Sequence, residues 1–142
     1  GLMNGPLGGF AVLDVHVRVT AAETHPTESN DVAFRTAATL ALRHALQSAR
    51  PMILEPVMTV GIETPDAYVG DILNDLNARR ARIREMEARE GVQVIRAEAP
   101  LIELFGYATR LRSLSKGLAT CMIEPCRFEE VPENLWSQIL HR

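Results

Sequence analysis

The sequence predicts an α+β fold, and three observations carry that prediction. Short stretches alternate apolar and polar residues with a period of two, the mark of half-buried strands. Two helical patterns each open on a proline, at Pro65 and Pro100, and each lies between two such stretches. Hydrophobic residues are 46% and charged residues 23%, a balance that supports a packed core and excludes a disordered chain.

The first element read along the chain is a strand from about Phe10 to Thr20, where Val15, Val17 and Val19 alternate with His16, Arg18 and Thr20. A polar loop follows, and Ser29 or Asn30 is placed to cap a helix from about Asp31 to Ala49. Phe34, Ala38, Leu42, Ala45 and Ala49 form its apolar stripe, and so many alanines predict close packing on a sheet. Arg50-Pro51 ends it, because the residue before proline disfavours the α region. A domain boundary is expected there, dividing residues 1–50 from residues 51–142.

Beyond the boundary a strand from about Val57 to Glu63 points Met58, Val60 and Ile62 one way. Thr64-Pro65-Asp66 reads as N-cap, proline at the first helical position and acid in the first turn, ahead of a buried stripe of Val69, Ile72, Leu73 and Leu76. Strands at about Arg82–Glu87 and Val92–Ala99 flank a turn at Gly91. Pro100 then opens a second helix, with Leu101, Leu104, Phe105, Ala108 and Leu111 on one face and Lys116-Gly117 as its stop. The last strand covers about Leu118 to Glu124, and Pro125 confines it to an edge or a bulge. Residues 52–131 thus read β-α-β-β-α-β, the split βαβ or ferredoxin-like arrangement. The tail from Pro132 to Leu140 suits a short helix that docks Trp136, Ile139 and Leu140 on the core.

Composition narrows the function classes. The net charge is −3, so polyanion binding needs a local basic patch. Aromatics are 5%, a poor supply for a base-stacking surface. No apolar run approaches the ~20 residues of a membrane span, and the first residues lack the basic and apolar regions of a signal peptide. Cys121 and Cys126 stand i, i+5 on one strand, pointing to opposite faces, and read as reduced cytosolic thiols. No metal-ligand spacing and no phosphate-binding glycine loop with its lysine occurs.

The strongest chemical feature is two groups of cations at matching ends of the two helices. They are Arg79, Arg80, Arg82 and Arg84, and then Arg110, Arg112 and Lys116. Two readings stand. The groups form one basic edge that grips phosphates, or they complement the helix dipoles and pair with Glu85, Glu87 and Glu90. The four histidines lack a patterned acid or nucleophile partner; His25 alone sits in an exposed loop rich in hydrogen-bonding residues, Thr27, Glu28 and Ser29.

Several longer segments resemble one family. Gly70-Asp71-Ile72-Leu73-Asn74-Asp75-Leu76-Asn77-Ala78-Arg79-Arg80 resembles a signature of bacterial elongation factor G, the ribosomal translocase family. So does Phe105-Gly106-Tyr107-Ala108-Thr109-Arg110-Leu111-Arg112-Ser113 with Lys116-Gly117 behind it. Leu54–Met58, Val94–Ala97 and the upstream Gly5-Pro6-Leu7-Gly8-Gly9-Phe10 fit as well. The resemblance implies that residues 1–50 are the C-terminal part of domain IV, a ribosomal-protein-S5-like α+β domain, and that residues 51–142 are the ferredoxin-like domain V.

It implies ribosomal partners: the tRNA–mRNA duplex at the decoding centre for domain IV, and large-subunit rRNA for domain V. His25 takes the place of the family's tip histidine, with Pro26, Thr27, Glu28 and Ser29 beside it as tRNA contacts. Arg79, Arg80, Arg82, Arg110, Arg112 and Lys116 become candidate rRNA contacts. The resemblance also implies a cytoplasmic monomer with no membrane partner. No cofactor is expected on these residues, because the family's GTP and Mg²⁺ bind a GTPase domain that they do not include. The alternative readings are a stand-alone ferredoxin-like binding or regulatory module, or a fragment of a ribosome-recycling-type paralogue of the family.

Overall fold

The computed structural model describes residues 2–141. Leu54–Glu130 form one compact unit, and the segments on either side of it form another.

The central unit is a four-stranded antiparallel sheet with helices on one face. In chain order it runs β1 (Leu54–Pro65), α2 (Val69–Ala78), β2 (Arg82–Arg89), β3 (Val92–Pro100), α3 (Tyr107–Ser115) and β4 (Thr120–Glu130); α1 (Asp31–Ser48) precedes it in the chain. The strand order is β2-β3-β1-β4, so each helix crosses from one strand over an intervening neighbour. The ferredoxin-like reading of this stretch holds. Alternation places Val60 and Ile62 of β1 and Ile95, Ala97 and Ala99 of β3 under the helices, at most 1% exposed. Ile72 and Leu76 of α2 and Tyr107 and Leu111 of α3 close this core from above. Each fully buried aliphatic side chain here contributes about 1.5–3 kcal/mol.

Both prolines that announce the helices serve differently from expectation. Pro65 and Pro100 are the last residues of β1 and β3, and each is followed by a short 3-10 turn, Asp66–Tyr68 and Leu101–Leu104, before the α-helix begins. Thr64 is not an N-cap: it is fully buried, and its hydroxyl donates to the Pro65 carbonyl at 3.3 Å. Gly106, at φ 72°, interrupts the second pattern, so Phe105 leaves the expected apolar face and stands 75% exposed.

α2 ends in a Schellman motif. The Ala81 N–H donates to the Leu76 carbonyl at 3.1 Å, and the Arg80 N–H donates to the Asn77 carbonyl at 3.3 Å. The left-handed position that glycine usually takes is held by Arg80, at φ 56°. β4 carries a bulge: Val57 pairs Arg127 and Met58 pairs Pro125, leaving Cys126 as the extra residue. The expectation for Pro125 is met on both counts, since β4 is also an edge strand.

The other unit holds α1 (Asp31–Ser48), capped by Asn30, whose side chain accepts from the Ala33 N–H at 2.8 Å. The expected strand at Phe10–Thr20 is absent. Gly8 and Gly9, at φ 61° and 73°, turn the chain so that the Val12 N–H reaches the Leu2 carbonyl at 2.7 Å. No ladder forms along Phe10–Thr20 among the described residues, and Leu13, Val17 and Val19 are more than half exposed. Alternation marks a segment fit for a sheet, but a strand needs a neighbour to bond.

The alanine stripe of α1 is likewise exposed; only Leu46 is buried, with Leu42 half-buried. The terminal helix α4 (Trp136–Leu140) falls in this same compact unit. The Val131 N–H donates to the Ile53 carbonyl at 2.8 Å, and Trp136 Nε1 donates to the Val131 carbonyl at 2.9 Å.

Candidate nucleic-acid interface

Two places concentrate the residues singled out in the sequence: the loop before α1 and the helix side of the sheet domain.

In the loop, a turn at Pro26–Glu28 brings the two ends together. The His25 N–H donates to Ser29 Oγ at 2.6 Å, and the Ser29 N–H returns to the His25 carbonyl at 3.2 Å. The Thr27 N–H donates to His25 Nδ1 at 3.3 Å, with Thr27 Oγ1 at 3.2 Å from the same nitrogen. A Glu28 carboxylate oxygen stands 4.0 Å from Nδ1, and the His25 side chain is 60% exposed. The loop therefore presents an imidazole whose inner nitrogen is engaged and whose outer edge faces solvent.

The cation groups meet, but through acids that the sequence reading did not name. Asp75 of α2 receives Arg79 Nε at 2.8 Å on one oxygen and Arg110 Nε at 3.2 Å on the other. Arg79 also donates to the Glu103 carbonyl at 2.5 Å and lies over the Tyr107 ring, 5.1 Å from its centroid. Arg80 makes a two-pronged contact with Glu55, at 2.8 and 3.0 Å, and a third with Glu103 at 3.3 Å. These bonds raise the Arg80 pKa further, through the Glu55 hydrogen bond first. Arg79 and Arg80 thus tie α2 to β1 and to the turn before α3.

Arg82 and Arg84 depart from the helix side. They reach Glu98, which alternates with the buried Ala97 and Ala99 and so projects from the sheet face opposite the helices. Arg127 of β4 completes that cluster, at 2.7 Å from Glu98, and both Arg82 and Arg127 contact Glu129. Hydrogen bonds from Arg127 and then Arg84 hold the Glu98 carboxyl down at about 2. The expected pairing of the clustered arginines with Glu85, Glu87 and Glu90 is replaced by these contacts. Glu85 and Glu87 pair with Arg96 and Arg89 instead.

Arg112 and Lys116 differ from the rest. Both are exposed, and neither lies within salt-bridge distance of an acid among the described residues. No acidic residue occurs between Gly106 and Ala119. Thr109 and Arg112, three apart, share a side of α3, and Lys116 follows at the helix end. Lys116 caps the helix in the left-handed conformation at φ 52°. Next to this stripe, exposed Phe105 is a residue that periodicity assigned to the core; the glycine after it was the available signal.

The family model described as elongation factor G, domain IV, matches residues 1–50, and the one described as elongation factor G C-terminus matches residues 52–139. This chain belongs to the elongation factor G family. It is 43% identical over 139 residues to elongation factor G of Aquifex pyrophilus, covering 98% of this chain and 20% of that protein. It is also similar to a protein of Thermus thermophilus of known crystal structure. The TM-score is 0.84 and the identity 36%, over 99% of this chain and 21% of that one. The chain spans about a fifth of the length of these relatives. It represents a C-terminal region of a translation elongation factor, and no described helix is long and apolar enough to cross a membrane.

Proposed function

We propose that this chain is the ribosome-binding C-terminal region of an elongation-factor-G-like translocase, working as a monomer in the cytoplasm. The loop Pro26–Ser29 presents His25 to the tRNA–mRNA duplex at the decoding centre. Arg112 and Lys116 on α3, with Arg110 beside them, meet large-subunit rRNA. The observation that carries this reading is the acid-free stretch between Gly106 and Ala119, in which Arg112 of α3 and Lys116 at its end have no acidic partner among the described residues while Arg110, Arg79 and Arg80 are bound by carboxylates. Charge left unpaired on an otherwise acidic chain is what a phosphate backbone recognises. Arg79, Arg80 and Arg82 then serve chiefly to hold the fold, and Pro26, Thr27 and Glu28 shape the tip.

Pelleting of the purified chain with 70S ribosomes across a salt series tests the reading. Binding should weaken steeply with salt, and Arg112→Ala should lower the slope of log affinity against log salt by about one. His25→Ala should weaken binding further. Binding that ignores salt, or that both variants leave untouched, would overturn the proposal.

A further inference from the structure

We infer that Thr27 and Ser29 are positioning residues that lock His25 as the Nε2–H tautomer, so that the tip offers the nucleic-acid backbone a neutral hydrogen-bond donor. The inference deepens the tip-contact reading and rests on it only for the identity of the partner.

The argument starts from which groups can donate. A backbone N–H has no lone pair, so the Thr27 N–H at 3.3 Å requires His25 Nδ1 to be the acceptor. A neutral imidazole with an unprotonated Nδ1 carries its proton on Nε2. The Thr27 hydroxyl, 3.2 Å from the same nitrogen, reinforces this state when it donates. Ser29 fixes the other end of the residue. Its hydroxyl accepts the His25 N–H at 2.6 Å, and its own N–H bonds the His25 carbonyl at 3.2 Å. The backbone is thereby pinned by a pair of opposed bonds and the ring by Nδ1.

What remains for a partner is Nε2–H. A group of this kind donates to a phosphate or 2′-hydroxyl oxygen, both abundant on an RNA backbone, and carries no base preference. The competing arrangement is a ring protonated on Nδ1, facing Thr27 Oγ1 and the Glu28 carboxylate at 4.0 Å. The two arrangements expose opposite chemistry, a donor in one case and a bare acceptor in the other.

Long-range ¹H–¹⁵N correlation of the ¹⁵N-labelled chain, at alkaline pH where the ring is neutral, reads the tautomer directly. A pyridine-like Nδ1 and a pyrrole-like Nε2 are expected. Thr27→Val, which keeps the amide, should preserve that pattern. Thr27→Pro and Ser29→Ala should each shift it toward the averaged signals of a free imidazole, while α1 amide signals confirm that the helix persists. A pyrrole-like Nδ1, or a pattern indifferent to Thr27→Pro and Ser29→Ala, overturns the inference.

Ribosome pelleting supplies the second readout. His25→Gln places an amide donor where Nε2–H stands and should retain most of the affinity. His25→Asn, which reaches only as far as Nδ1, should lose about tenfold, as His25→Ala does. Rescue by Asn in place of Gln overturns the inference. If the tautomer is as expected and none of the His25 variants changes pelleting, the lock stands and the tip-contact reading falls.

Discussion

Arg80 allows the structural and rRNA-contacting roles to be separated in one experiment. Its guanidinium contacts Glu55 at 2.8 and 3.0 Å and Glu103 at 3.3 Å, and Glu55 is only 9% exposed. Removing the arginine strands a nearly buried carboxylate. A fully buried pair broken on one side costs about 3–5 kcal/mol. The Arg80 side chain keeps 30% of its exposure, so screening reduces the figure, and about 2–3 kcal/mol is expected for Arg80→Ala.

The backbone adds a second handle, because Arg80 occupies a left-handed position at φ 56° that costs a non-glycine residue about 1 kcal/mol or more. Arg80→Gly loses the same ion pair but relieves that strain, and should be about 1 kcal/mol less damaging than Arg80→Ala. Urea denaturation of the parent, Arg80→Ala, Glu55→Gln and the double variant Arg80→Ala/Glu55→Gln completes a cycle, with a coupling of about 1–2 kcal/mol expected between the two sites, and Arg80→Gly is unfolded beside them. An Arg80→Ala loss under about 0.5 kcal/mol, or an Arg80→Gly variant worse than Arg80→Ala, refutes the reasoning. The first result would also free Arg80 for a role in binding.

Three further outcomes are expected. The Glu98 carboxyl titrates at about 2 in the folded chain, below its ordinary 4.5, so its stabilising effect is full above about 4.5 and drains as pH falls toward 2. Glu98→Gln should flatten acid unfolding in that window, and Arg127→Ala should move the NMR titration of Glu98 upward. The Tyr107 hydroxyl is buried without a hydrogen-bond partner among the described residues, and burial pushes its pKa up. Tyr107→Phe should therefore leave stability unchanged or raise it by up to about 1 kcal/mol in thermal melts; a loss beyond about 1 kcal/mol would expose a missed partner. Phe105→Ser should stay within about 0.5 kcal/mol of the parent in urea, whereas Leu104→Ala, at a position 7% exposed, should lose about 2–5 kcal/mol.

Much of the sheet domain was legible because its information is local. Val60, Ile62, Ile95 and Ala97 announce their face by alternation alone, and Lys116-Gly117 stops α3 as expected. What the residues did not disclose depended on partners distant along the chain. The valines before residue 20 keep a strand's pattern, yet pairing is a property of two segments, and one segment's sequence cannot contain it. The arginines are similar: neighbours Glu85, Glu87 and Glu90 suggested local pairs, while the partners Glu55 and Glu103 lie more than twenty positions away. Phe105 shows another limit. A single glycine in the left-handed region takes Phe105 off the apolar face while Leu104 stays buried, and periodicity has no way to register that.

In the loop before α1, His25 stood out as a candidate only through the family resemblance. The hydroxyls two and four residues beyond it were in plain sight, in the spacing that Ser and Thr use to fold back on a turn.

The bulge at Cys126 shapes how the molecule behaves in a crowded solution. β4 is a sheet edge, and it displays apolar side chains such as Met122 and Phe128, 65% and 58% exposed. A straight, hydrophobic edge of this kind invites a stray chain to add itself as a further strand. Pro125 offers no N–H for such an intruder, and the extra residue after it throws any continuous ladder out of step. The opposite edge, β2, is guarded by Arg82, Arg84, Glu85, Glu87 and Arg89. Straightening β4, by deleting Cys126 and replacing Pro125 with valine, should leave the core intact and make the protein prone to fibril growth from that edge.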